Sequence, residues 1–298
     1  MFNEAGSRSF YDRFVHLSPI RPIPSTFNIQ TVFLDTCIYF CIETEHLSLY
    51  QLVHYLISIR RTSRIVYLLS VLTDKNRYIM TIDFYYLPGS APCRNVLLAA
   101  KAVGVELNLK YTDIMKGEHL TPEFIKINPQ HTIPTLDDNG FAIWESRAIM
   151  TYLQQQYGKD DSLYPKDPKR RALVDQRLYF DMGTLYSSFY EYYSPIFFGD
   201  GKSDPAKFEK VNDAFKFLDI FIGNNDYSTG NNLTLADLAL VSTVSTFEVM
   251  NYDLSPYKNV SRWFAKVKAT APGYEEANGK PVLAFKERVD SFIEKRNK

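Results

Sequence analysis

A hydroxyl and a thiol stand three residues apart in Ser90-Ala-Pro-Cys93, directly after the breaker Pro88-Gly89. The run before it, Ile82–Tyr86, is short, apolar and aromatic, as a buried strand is. The run after it, Arg94–Val103, carries Val96, Leu97, Ala100 and Val103 at helical spacing, and Gly104 closes it. Ser90 therefore falls at the mouth of a helix, where unpaired N–H groups and the positive end of the helix dipole favour anions. A dithiol exchange pair needs sulfur at both ends of this spacing, and here a hydroxyl replaces the leading one. Such a hydroxyl can donate a hydrogen bond to a bound thiolate. That lowers the thiol's pKa from its free value of about 8.5 toward neutral and supplies the nucleophile. A plain helix-capping serine explains the same residue, and the motif alone leaves both readings open. Cys93 could act in thiol exchange only if its sulfur were exposed.

Three further places can bind rather than react. Ile133-Pro134 opens a strand; a cis proline there would leave the Ile133 backbone free to pair with an extended peptide, whereas an ordinary edge-strand proline is the plainer reading. Glu145-Ser146-Arg147 begins a helix. The Ser146 N–H and hydroxyl can hold a carboxylate and Glu145 an ammonium, which together fit an amino-acid head group; a charged first turn is the simpler alternative. His119 and His131 are the only histidines after residue 80. Both flank the same expected cleft, although either could be a solvated loop residue.

The elements that must position these groups follow from the pattern. Strand Ile82–Tyr86, a helix, strand Leu107–Tyr111, a short helix Thr121–Ile127, strands Thr132–Leu136 and Phe141–Trp144 about the turn Asp138-Asn139-Gly140, then helix Glu145–Tyr157 give βαβ followed by ββα. That order predicts a thioredoxin-like sandwich over residues 81–160. Residues 158–168 form a glycine-, proline- and charge-rich linker. From residue 166 to 298 strand signals nearly vanish and helical periods take over, with Thr234 and Asp237 spaced as a capping box. The expected architecture is α+β in two domains, a thioredoxin-like α/β domain followed by an all-α helical domain.

Residues 1–80 stand apart as an unassigned extension, expected to have no stable fold of its own. They hold one of the 13 glycines, Gly6, and a single lysine, Lys75, so punctuation and charge concentrate after Met80. Their longest charge-free stretch, His46–Ile59, falls short of the ~18 apolar residues of a membrane span, and no signal-peptide pattern opens the chain. Arg60, Arg61 and Arg64 after that stretch leave an interfacial helix as a minor alternative. Cys37 and Cys41 read as ordinary apolar residues. The whole chain of 298 residues has 34 basic and 34 acidic side chains, so no general charge draws it to nucleic acid. Three cysteines without paired CxxC motifs give neither a disulfide framework nor a zinc pattern, so no metal is expected. They favour a reducing compartment.

Several runs together carry a resemblance. Phe84-Tyr-Tyr-Leu-Pro-Gly-Ser-Ala-Pro-Cys-Arg94, Gly117-Glu-His119-Leu, Ile127-Asn-Pro-Gln-His-Thr-Ile-Pro-Thr135, Asp138-Asn-Gly, Trp144-Glu-Ser-Arg147 and Gln176-Arg-Leu-Tyr-Phe-Asp-Met-Gly-Thr-Leu-Tyr186 resemble the cytosolic glutathione S-transferases, specifically the insect-type delta class. The resemblance covers about residues 82–290 and leaves the extension outside. It implies that Ser90 is the catalytic serine, that Glu145 and Ser146 hold the γ-glutamyl end of glutathione, and that Ile133 beside cis-Pro134 pairs with the cysteinyl unit. It further implies that His119 and His131 meet the glycine end, with Thr132 in the same binding loop and Arg147 as the supporting cation.

It also implies glutathione as co-substrate, a homodimer, a cytoplasmic detoxification role and small apolar electrophiles as partners. The expected chemistry is conjugation, extending to dehydrochlorination and peroxidase activity. A non-catalytic protein that sequesters apolar ligands on the same fold is the alternative. For the acceptor pocket the candidates are Leu87, Ala91, Tyr186, Phe189, Phe197 and Phe198. The stretch Tyr186–Phe198 holds four tyrosines and three phenylalanines, which suits an aromatic-walled pocket but also plain core packing.

Overall fold

A computed structural model describes residues 82–296, apart from residues 200 and 203. The expectations placed on residues 1–80, including Cys37, Cys41 and the interfacial-helix alternative, lie outside the described residues.

Strand β1 (Ile82–Tyr86) leads through the Pro88-Gly89 turn into helix α1 (Ala91–Val103), which has Ser90 at its cap position and starts three residues before the expected Arg94. Pro92 is tolerated there because the first-turn N–H groups have no intrahelical partner to lose. Strand β2 (Leu107–Tyr111) pairs parallel with β1, and two short 3₁₀ turns, Ile114–Lys116 and Glu118–Leu120, precede helix α2 (Pro122–Ile127). Thr121 caps α2, accepting a hydrogen bond from the Phe124 N–H at 3.3 Å.

Strands β3 (Thr135–Asp138) and β4 (Phe141–Trp144) form a hairpin, with Asn139 at φ 53° and Gly140 at φ 92°. Those are the positive angles that a two-residue hairpin turn demands. The four-stranded sheet has the order β2-β1-β3-β4, with β1–β3 and β3–β4 antiparallel. Helix α3 (Ser146–Tyr157) and α1 cover one face through the buried Val96, Leu98, Ile149 and Leu153. Burying those side chains is worth roughly 1.5–3 kcal/mol each relative to leaving them in water.

The third strand also differs from expectation. The third strand starts at Thr135, not Thr132, because the preceding loop is tied to a side chain instead of to a neighbouring strand. Asn128, fully buried at the end of α2, donates from its amide nitrogen to the Thr132 carbonyl and hydroxyl at 3.1 Å each and to the Thr135 hydroxyl at 2.8 Å.

The rest is helical: α4 (Pro168–Phe180), a π-helical turn Asp181–Leu185, α5 (Tyr186–Phe198), α6 (Pro205–Ile222), α7 (Leu235–Val249) and α8 (Lys258–Thr270). A second π-helical turn, Glu275–Gly279, then runs into α9 (Lys280–Arg296). Helix α7 is the central post, buried from Leu235 to Phe247. Its capping box forms as its spacing predicts. The fully buried Asp237 carboxylate accepts from the Thr234 N–H at 2.9 Å, from the Ser228 N–H at 2.7 Å and from the Trp263 indole N–H at 2.8 Å. The fold is therefore a thioredoxin-like domain with a mixed sheet, followed by an all-helical domain. No helix among the described residues is long and apolar enough to cross a membrane.

Candidate functional site

Ser90 sits at the cap position of α1 with its backbone extended (φ −62°, ψ 120°). Its N–H donates to the Leu87 carbonyl at 3.2 Å and its carbonyl accepts from the Arg94 N–H at 3.0 Å. Its hydroxyl makes no capping bond to the helix. The plain capping role thus fails; the hydroxyl lies within reach of the Cys93 thiol and stands at the positive end of a 13-residue helix. The Pro88-Gly89 turn sets this geometry. Gly89 has φ 85°, and a Cβ there would fall 2.8 Å from the Phe285 backbone nitrogen, so a side chain is excluded on two grounds.

Cys93 has no exposed surface, and burial pushes its thiol up to about 11. A thiol so placed is neither accessible nor ionised near neutral pH, which removes the basis for thiol-exchange chemistry at this spacing. Arg94, the next residue, is also fully buried. Its guanidinium donates to the Gly89 carbonyl at 3.3 Å, to the Thr246 hydroxyl at 2.6 Å and to the Asn278 side-chain oxygen. All three acceptors are neutral, and burial lowers its pKa to about 10. Arg94 fastens the turn before Ser90 to α7 and to the second π-helical turn.

The loop from Asn128 to Thr135 brings the second group. Its Ile133–Pro134 peptide is cis. Antiparallel pairing of β3 with β1 begins at Thr135, so Ile133 lies beyond the paired register. The His131 N–H donates to the Asn128 carbonyl at 2.8 Å, and His131 adopts φ 45°. Its ring lies 6.2 Å from that of His119, which is carried by the second 3₁₀ turn. The sequence separates these histidines by a helix; the fold puts them side by side.

The third group opens α3. Glu145 is exposed and held at φ 69°, ψ 104°, a conformation that costs a non-glycine residue on the order of 1–3 kcal/mol and persists only where its surroundings enforce it. Ser146 is buried, and its hydroxyl accepts from the Arg147 guanidinium at 2.8 Å. Arg147 also pairs with the fully buried Asp181 and lies over the Tyr186 ring, 5.8 Å from its centroid.

Asp181 is the residue that sequence reasoning missed. It begins the π-helical turn between α4 and α5, and such bulges recur at functional sites. The sequence signal was weak: an acid inside a helical run, with Arg177 four residues before it, reads as an ordinary surface pair. Asn128 and Arg94 were overlooked as well, the first readable as a polar residue before a proline, the second not readable without the fold.

Five buried side-chain polar atoms among the described residues have no hydrogen-bond partner, and three of them belong to this constellation: His119 Nδ1, Arg147 Nε and Asp181 Oδ1. Leaving such a group unpaired costs about 1–3 kcal/mol, so the cluster marks a place built to meet an outside polar partner.

Beside Ser90 lies an aromatic cavity. Of the expected pocket residues, Leu87, Ala91, Tyr186, Phe189 and Phe197 line it together with Ser90. The side chain of Phe198 lies outside the described ones. Phe189 also packs edge-on to Phe247, with ring centroids 5.0 Å apart, so core and pocket share this wall. Missing from the expectation are Ile114 and Met115, from the first 3₁₀ turn, and Phe285, Arg288 and Phe292, from α9.

Known proteins resemble this chain over both domains. A family model described as the glutathione S-transferase N-terminal domain matches residues 84–161, and one described as the C-terminal domain matches residues 184–270. Among solved structures, a delta-class glutathione transferase of Nilaparvata lugens is 64% identical, with TM-score 0.70, covering 71% of this chain and 99% of its own. A Bombyx mori glutathione transferase is 45% identical, with TM-score 0.68 and coverage of 72% and 98%. A glutathione transferase homolog from Drosophila mojavensis, solved with bound glutathione, is 34% identical, with TM-score 0.66 and coverage of 71% and 97%.

Proposed function

The chain belongs to the glutathione S-transferase family and is an enzyme of that kind, and from that premise we propose how its residues divide the work. Glutathione lies along the thioredoxin-like domain. Its glycine end meets His119 and His131, and its cysteinyl unit pairs with the Ile133 backbone beside Pro134 and Thr132. Its γ-glutamyl ammonium meets Glu145 and its carboxylate Ser146, with Arg147 and Asp181 behind. Ser90 donates its hydroxyl hydrogen bond to the sulfur. The thiolate attacks an electrophile held in the aromatic cavity. The S–C bond forms, and the leaving group departs with its electron pair.

The observation that carries this reading is the Ser90 hydroxyl. It makes no capping bond to its helix, stands at that helix's positive end and borders the apolar cavity.

The class is the insect delta class, the setting cytoplasmic detoxification and the assembly a homodimer. The same thiolate also acts as a base on a chlorinated hydrocarbon: sulfur takes the proton, the C–H pair becomes the double bond and chloride leaves. With a hydroperoxide, sulfur takes the terminal oxygen and the alkoxide leaves; a second glutathione then yields the disulfide and water.

The test is Ser90→Ala with glutathione and 1-chloro-2,4-dinitrobenzene. Turnover falls about 10²-fold, the affinity for glutathione changes little, and the bound thiol titrates near the free value of about 8.5. Unchanged turnover sinks the assignment.

A further inference from the structure

The acceptor cavity holds one charged side chain among the described residues that line it, Arg288. The rest of the lining is aromatic, aliphatic or small and neutral. Arg288 sits on α9 between Phe285 and Phe292, three and four residues away, so all three share a helix face. The close approach of Phe285 to Gly89 brings that face against the turn that carries Ser90.

Arg288 is half-buried, and it has no hydrogen bond or ion pair among the described residues. No acid stands three or four residues from it on the helix; the adjacent Glu287 is exposed, and Asp290 is engaged elsewhere, accepting from Lys286 at 2.6 Å. A guanidinium half-withdrawn from water among aromatic rings, with no anion against it, is a recognition element. Its planar fork matches a carboxylate in two parallel hydrogen bonds.

Building on the acceptor site proposed above, we propose that this cavity selects amphipathic electrophiles. The apolar body packs on Phe189 and Phe285, and a carboxylate on that body pairs with Arg288. A carboxylate-bearing enone is the simplest such substrate. The thiolate sulfur bonds to the β-carbon, the alkene π pair moves to the enolate, and the enolate takes a proton from water; no group leaves.

The test compares 4-(4-carboxyphenyl)but-3-en-2-one with its methyl ester, each corrected for its uncatalysed rate with glutathione. In the wild-type enzyme kcat/KM favours the acid by about tenfold, expressed in KM. In Arg288→Met the ratio of acid to ester falls to near one, and in Arg288→Lys part of it returns. Raising salt from about 0.02 to about 0.5 M narrows the wild-type ratio by screening the pair, a readout that does not depend on any variant folding. Equal ratios in wild type and Arg288→Met, a salt-insensitive ratio, or a rise confined to the KM of glutathione would each overturn the proposal. Conjugation of 1-chloro-2,4-dinitrobenzene by the wild type separates the two levels. If it is intact while the acid–ester ratio is flat, only the anion preference fails. If it is absent, the transferase reading fails first.

Discussion

The two halves of the site are built on opposite plans. The glutathione side is polar, and three of its groups sit where the chain turns: Ser90 before α1, His131 before β3 and Glu145 before α3. Each is fixed by backbone geometry and a hydrogen-bonded support such as Asn128 or Asp181. The acceptor side is apolar, and its walls are drawn from the body of α5 and from α9 at the other end of the helical domain. Polar recognition tolerates little displacement, because a hydrogen bond weakens steeply with angle and distance. Apolar enclosure needs only surface that fits. The first plan therefore invests in strain and buried charge, the second in ring packing.

The largest expected break falls on the polar half. Asp181→Ala leaves Arg147 without its buried partner and should cost about 3–5 kcal/mol of stability. It should also raise the KM for glutathione and leave that of the electrophile nearly constant. Urea unfolding and a two-substrate kinetic matrix measure both, and an equal rise in the two KM values would erase the distinction between the halves. Phe285→Ala should act in the opposite sense. It should cost roughly 2 kcal/mol, less than a fully buried ring, and raise the KM of apolar electrophiles while glutathione binds as before. Glu145→Gly gives the smallest and sharpest contrast. Relief of the positive φ should stabilise the protein by about 1 kcal/mol, while the KM for glutathione rises with loss of the carboxylate. If stability falls instead, φ 69° at Glu145 is not a cost borne for binding.

The same contrast explains what the sequence made legible. Ser90, His119, His131, Glu145 and Ser146 could be singled out because each carries a group whose chemistry is particular to its residue type and lies next to a turn signal. The strands and helices of the first domain could be placed because Gly104 and Asn139-Gly140 punctuate them. The third strand starts three residues later than its pattern suggests, since nothing local announces that Asn128 will hold Thr132 and Thr135 from across the loop.

Arg94 was invisible for a related reason. An arginine in the first turn of a helix reads as solvated, and only the fold brings Thr246 and Asn278 to it across 152 and 184 residues. Within α5, the aromatic run left pocket and core unresolved, and the fold shows why: Phe189 contributes to both. Arg288 and Phe285 lie on a helix whose distance from Ser90 in sequence hides their nearness in space.

The clamp at Arg94 bears on how such proteins can be recombined. Its three acceptors come from the serine turn, from the last turn of α7 and from the segment just before α9. A thioredoxin-like half joined to a foreign helical half inherits the arginine but not the surface made to receive it, and an unreceived buried cation disturbs the Gly89 carbonyl beside the nucleophile's anchor. The two halves are thus a matched pair rather than interchangeable modules. A chimera between relatives keeps its active serine in place only if the helical partner also supplies a hydroxyl at position 246 and an amide at position 278.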